Sequence, residues 1–195
     1  SVEDIPYVTR PISEGGVLER KGMVEVISSL EADGRQIPYD IRMGVWVTVE
    51  AETDYIKNCF EEYNAHTDPS GRYFTLYKRW HLIGLEVGVS VASVALRNEP
   101  TGVATNWNAD VVATAKRDLR PGELLDGEGG YTVWGKLLPA ATSKKMGGVP
   151  LGLAHGVKVV RPVTRGQSLS WDDVAMDTNT HAYKIRREME AGFNF

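Results

Sequence analysis

The densest grouping of chemically able side chains is Tyr73, Tyr77, Lys78, Arg79 and His81, five residues within a nine-residue span. Such a set suits a phosphorylated small molecule. Arginine grips phosphate oxygens bidentately, and lysine adds a compact charge. An apolar run follows at once, so a helix N-terminus would add backbone N–H groups and a partial positive charge. His81 has the pKa range to move a proton near neutrality. The competing reading makes Lys78 and Arg79 surface charges and His81 a packing or capping residue. Glu86 lies five residues beyond His81 inside the apolar run. A buried carboxylate needs a partner. Glu86 therefore either positions a catalytic group or forms an ion pair, with Arg42 as one candidate. Arg42 precedes a strand-like segment and is a further phosphate-binding candidate.

Other groups read as structural. Glu25 sits mid-strand on a face opposite Val24 and Val26. Glu61-Glu62 and Asp172-Asp173 are adjacent pairs whose side chains diverge; the second fits a turn or helix cap. Asp126, Glu128 and Tyr131 occupy a glycine-rich loop that either reaches over a site or simply turns. Cys59 is the one cysteine; it reads as a structural thiol and fits a reducing compartment. The five tryptophans read as core or interface anchors.

The elements that must hold these residues can be read from the chain. Gly22–Leu30 and Met43–Glu50 favour strands, joined through an Asp33-Gly34 turn. In the second strand Val45, Val47 and Val49 share one face, with Trp46, Thr48 and Glu50 on the other. Thr53 or Asp54 caps a helix over Tyr55–Tyr63. His66–Gly71 is a loop. A helix over Leu82–Arg97 carries Gly84, Gly88 and Ala92 at every fourth position, which predicts close packing on that face; Asn98 and Pro100 end it. From Ala109 short strands alternate with turns. Arg117–Leu125 and Arg161–Leu169 share a pattern 44 positions apart: Arg, an aliphatic residue two places on, then Gly, Glu or Gln, and Leu. This predicts a small β domain with internal pseudo-symmetry. His181–Ala191 predicts a helix packed through Tyr183, Ile185 and Met189, with Lys184, Arg186, Arg187, Glu188 and Glu190 in solvent.

Composition narrows the function classes. The 195 residues include 42% hydrophobic and 25% charged, with a net charge of -4. These values exclude a disordered chain and a coiled coil. An acidic balance argues against nucleic-acid binding. The longest apolar run, Leu82–Leu96, is 15 residues and holds Glu86, too short for a spanning helix. No secretory signal pattern opens the sequence. The expectation is a cytoplasmic protein that binds neither nucleic acid nor membrane.

The segments Val111–Leu125 and Gly152–Val174 resemble a SAF domain, a small β-clip module. A narrower resemblance runs through Gly22–Leu30, Tyr77–Glu86 and Leu125–Gly135. These phrases are similar to the C-terminal portion of bacterial 1-deoxy-D-xylulose 5-phosphate reductoisomerase-like oxidoreductases, relatives of homoserine dehydrogenases. That resemblance implies a Rossmann domain for NADPH, a catalytic and dimerisation region and a SAF-like domain. It also implies a phosphorylated sugar substrate, a homodimer and a place in isoprenoid precursor synthesis by the methylerythritol phosphate pathway. The chemistry admits a divalent cation, whose ligands the sequence does not identify.

The implied architecture is α+β: a sheet-and-helix catalytic/dimerisation region over residues 1–105, a SAF-like β domain over 106–177, and a C-terminal helix or tail over 178–195. No Gly-x-Gly-x-x-Gly follows a strand, and Gly127–Gly130 lies in the wrong context. The absent initiator Met and irregular start favour a fragment of a longer enzyme, inactive in hydride transfer by itself. Two alternatives stand: a homoserine-dehydrogenase-like oxidoreductase with another substrate, and a non-catalytic SAF module binding a carbohydrate or a partner protein.

Overall fold

Backbone pairing organises the chain into three small antiparallel sheets and four α-helices among the described residues of a computed structural model, namely 10–27, 29–40, 44–80 and 82–195. The fold class is α+β. The chain divides into two compact units, Ser1–Val103 and Ala104–Phe195.

In the first unit, β1 (Val45–Glu50) pairs antiparallel with β2 (Tyr73–Lys78), in a register that sets Trp46 against Tyr77 and Val47 against Leu76. Helix α1 (Asp54–Glu62) lies between them in sequence. Thr53 caps it by accepting from the Ile56 amide at 3.3 Å, as the sequence predicts. The loop before β2 is built on Asp68, which is 4% exposed. Its carboxylate accepts from the Ser70, Arg72 and Tyr73 amides at 3.0–3.1 Å and from the Ser70 hydroxyl at 3.0 Å. Burial raises the pKa of such a group, but these hydrogen bonds outweigh it and hold the pKa below the ordinary value.

One expectation fails in this unit. The strand over Gly22–Leu30 does not form among its described residues; Leu30 makes one isolated bridge to Gln36. Val24, Val26 and Ile27 are exposed, so β-branched residues there have no partner strand to pack on. Helix α2 (Ile83–Ala92) continues as a π-turn over Ser93–Arg97 and stops at Asn98 in the left-handed region, φ 54°. Its extent agrees with the reading, and within the described residues of this unit its glycine stripe is open. A Cβ added at Gly84 or Gly88 would find no atom within 4 Å. Leu85, Val87, Val89 and Val91 are exposed as well. The valine face of β1 is also open. Its opposite face carries the Trp46–Tyr77 stack, with ring centroids 5.0 Å apart.

The second unit pairs β3 (Ala109–Ala115) with β5 (Val133–Pro139), while β4 (Leu124–Asp126), β6 (His155–Val159) and β7 (Val174–Ala175) form a second sheet. Its core joins Ala113, Ala115, Leu119, Leu125, Val133, Val157, Val159, Val163 and Leu169. The repeated segments are related bond for bond. Leu119 and Val163 exchange backbone hydrogen bonds at 2.8 and 3.1 Å. The Gly122 amide bonds the Val159 carbonyl and the Gly166 amide bonds the Ala115 carbonyl, both at 2.8 Å. Each glycine has a positive φ, 93° and 83°. Glu123 accepts from the Arg120 amide, and Gln167 from the Thr164 amide. The repeated Glu/Gln is therefore a turn clamp, which either side chain can be, since each ends in an acceptor oxygen.

Helices α3 (Ala140–Met146) and α4 (His181–Gly192) complete the unit. Thr180 caps α4, and Ser170 with Asp173 forms a capping box. The inward face of α4 departs from expectation in part: Tyr183 and Met189 are half-buried as the sequence predicts, but the deepest residues are charged. Ile185 is 50% exposed, whereas Glu190 is 7% exposed and the Arg186 side chain 12%. The cause is Asp110, itself buried on β3. It draws in Arg186, and Glu190 follows one turn later by bonding Arg186 at 2.8 Å.

Candidate functional site

The sequence-predicted residues converge only in part, because β2 alternates. Tyr73, Thr75 and Tyr77 point to one face of the hairpin and Phe74, Leu76 and Lys78 to the other. Tyr77 is thereby committed to its stack on Trp46. It also fills the space over Gly44, where an added Cβ would come within 2.2 Å of Tyr77 Cε2. Lys78, facing the other way, forms an ion pair with Glu86 in the first turn of α2. A carboxylate in that turn also suits the helix dipole. Lys78 and Glu86 are thus brought together, and Tyr77 is kept apart from them. Arg42 and His81 lie outside the described residues.

Arg79 follows the strand and enters a cavity of about 520 Å³, lined by Gln36, Ile37, Pro38, Tyr39, Asp40, Arg79 and Trp80. Its guanidinium lies 4.9 Å from the Trp80 ring centroid. Among the described residues no carboxylate pairs with it, whereas Lys78 already spends charge on Glu86. Arg79 is therefore the better placed cation for an incoming anion. The facing loop bends at Tyr39, a non-glycine residue with φ 56°. Backbone held in that region costs of order 1–3 kcal/mol and concentrates at binding and catalytic sites. The whole lining segment 36–40, Tyr39 and Asp40 included, is one that the sequence did not flag. A positive φ at tyrosine leaves no compositional trace, because glycine and asparagine are the residues that advertise it.

The other candidates resolve as structure. Asp126 closes the glycine-rich loop by accepting from the Tyr131 amide at 2.5 Å and the Thr132 amide at 3.0 Å. Its slight burial works against ionisation, and the bonds from Thr132 and Tyr131 overcome that, lowering the pKa to about 2. Gly127–Gly130 is thus a turn between β4 and β5, with no helix after it to cradle a pyrophosphate. Among the described residues no three His, Cys, Asp or Glu side chains gather as a metal site. No described helix is long and apolar enough to cross a membrane.

With this geometry in place, comparison with known families is decisive for the second unit. Residues 110–175 match the SAF domain. A SAF domain is present. Residues 1–87 match the catalytic domain of oxidoreductase DRL, a span that contains the Arg79 cavity and the Lys78–Glu86 pair. The chain is thus similar to an oxidoreductase catalytic domain followed by a SAF domain, and the first match gives the Arg79 region an enzyme-like character. Among curated proteins, no relative matches the chain.

Proposed function

We propose that this chain is the catalytic and SAF portion of an NADPH-dependent oxidoreductase of the reductoisomerase-like kind. Its substrate would be a phosphorylated sugar, 1-deoxy-D-xylulose 5-phosphate, rearranged and reduced to 2-C-methyl-D-erythritol 4-phosphate. The observation that carries this reading is the match of residues 1–87 to an oxidoreductase catalytic domain, with an uncommitted guanidinium, Arg79, in the cavity of that span.

In this reading Arg79 takes the phosphate bidentately and Trp80 backs the guanidinium. Lys78 and Glu86 form a poised pair in which Glu86 orients the ammonium. Arg42 and His81 join as phosphate ligand and proton donor. NADPH is held by a nucleotide domain outside this sequence and supplies the hydride. The exposed apolar faces of β1 and α2 serve as contact surfaces, in a homodimer or against that domain. The protein works in the cytoplasm.

The test is NADPH oxidation with 1-deoxy-D-xylulose 5-phosphate by the parent chain, nucleotide domain included. Turnover that falls about 10²-fold or more in Arg79→Ala, chiefly through KM, supports the reading. A folded, NADPH-binding parent that ignores this substrate but reduces a hydroxy-amino-acid precursor would favour the homoserine-dehydrogenase-like alternative.

A further inference from the structure

A second cavity, of about 510 Å³, lies wholly within the SAF unit, between the end of α3, the Trp171 turn and α4. Its walls include Lys144, Lys145, Gly147, Trp171, Arg187 and Glu190. The volume falls within the range of small-molecule sites, in a cleft open to solvent on one side. The charges around it do not cancel. Arg186 and Arg187 are matched by Asp110 and Glu190 in one network. Asp172, also on the wall, faces Arg161 at 3.7 Å. Lys144 bonds a neutral acceptor, the Phe193 carbonyl. Among the described residues Lys145 has no carboxylate partner. The helix end does not consume this charge either: the Lys144 and Ser143 carbonyls are taken by the Gly147 and Gly148 amides at 3.1 and 2.9 Å. Two lysines, neither paired with a carboxylate among the described residues, therefore line the cavity in a protein whose net charge is -4. Trp171 forms a fixed wall, held edge-on by Tyr183 at 5.5 Å and carrying the Arg187 guanidinium at 5.4 Å.

We propose that this cavity binds a small organic anion, its phosphate or carboxylate held by Lys144 and Lys145 and its body lying against Trp171. Charge-assisted hydrogen bonds from two lysines give the affinity, and the indole wall excludes water from one side. The proposal is independent of the reductoisomerase reading and concerns other residues.

The test is a titration of the isotopically labelled full chain, followed at the Trp171 indole N–H and the Gly147 amide. The probes are phenyl phosphate, benzoate and inorganic phosphate. Saturable shifts at both reporters are expected with phenyl phosphate or benzoate, and the tighter of the two identifies the anionic group. Lys145→Glu should weaken binding at least tenfold. Lys158→Glu, an equal charge change at an exposed strand position, should leave binding within about twofold. Lys145 is exposed, so its substitution leaves the fold intact. Absence of saturable shifts at both reporters would overturn the proposal. So would equal weakening by the two lysine variants, which would mean non-specific attraction, or equal binding of inorganic phosphate and phenyl phosphate, which would remove Trp171 from the site.

Discussion

Arg186 grips Asp110 with both terminal nitrogens across 76 positions of sequence, Nη1 lying 3.0 Å from Oδ1. Ser143 donates to the same carboxylate at 2.5 Å. Burial disfavours the guanidinium charge, but bonds to Asp110 and Glu190 outweigh it and raise the pKa of Arg186. The C-terminal helix is thereby fastened by charge to β3, the first strand of the SAF unit.

Removing one partner of that pair strands the other in a buried place. Arg186→Ala should destabilise the SAF unit by about 3–5 kcal/mol, and Asp110→Ala by a similar amount. The double variant should cost clearly less than the sum. Calorimetric unfolding of the four proteins measures this; additive costs would mean that the two residues are not coupled.

This pair also marks the limit of what the sequence discloses. Helix α4 and its span are legible from local rules. Its buried face is not, because Arg186 and Glu190 read as solvent residues until Asp110 is known to lie opposite. The repeat centred on Gly122 and Gly166 is legible because each copy keeps turn chemistry that only certain residues can supply. The segment 22–30 misleads for the converse reason: β propensity is visible locally, but a pairing strand is not. At the candidate site, Lys78 and Arg79 stand out by type. The alternation of β2, which parts Tyr77 from Lys78, is visible only once the strand is placed.

The pseudo-twofold makes a matched prediction. A Cβ added at Gly122 or Gly166 would meet nothing within 4 Å, so the cost of Ala there comes from positive φ alone. Each substitution should cost about 1–2 kcal/mol, and the two values should agree within experimental error. Urea unfolding decides; a large inequality would show that the turns are not equivalent.

The depressed pKa of Asp126, about 2, ties the glycine-rich loop to pH. A carboxylate whose folded pKa lies below its unfolded one adds stability above the unfolded value and loses it as pH falls through the folded value. The loop should thus hold from neutrality to about pH 4 and loosen between about pH 4 and 2. Exchange of the Tyr131 and Thr132 amides reports this. In Asp126→Asn their protection should be reduced at neutral pH and lose its dependence on pH across that window.

The Lys78–Glu86 pair separates structure from catalysis. Both side chains are partly exposed, at 63% and 31%. Glu86→Gln should change stability by less than about 1 kcal/mol. If Glu86 orients Lys78 on substrate, the same change in the parent enzyme should lower kcat/KM by 10-fold or more. An unchanged kcat/KM would make the pair structural only.

The hydrogen bonds that relate the two repeats have a consequence for biosynthesis. Gly122 and Glu123 find their partner in Val159, and Leu119 finds its partner in Val163. Residues 117–125 thus leave the ribosome with these strand bonds unmade and must wait for partners 36 to 44 positions later. At ordinary elongation rates that wait lasts roughly 2–9 s, during which an apolar edge is open to wrong partners. Contacts so distant in sequence also make for slow closure. Neither half can mature ahead of the other, so the domain must assemble late and in one cooperative event.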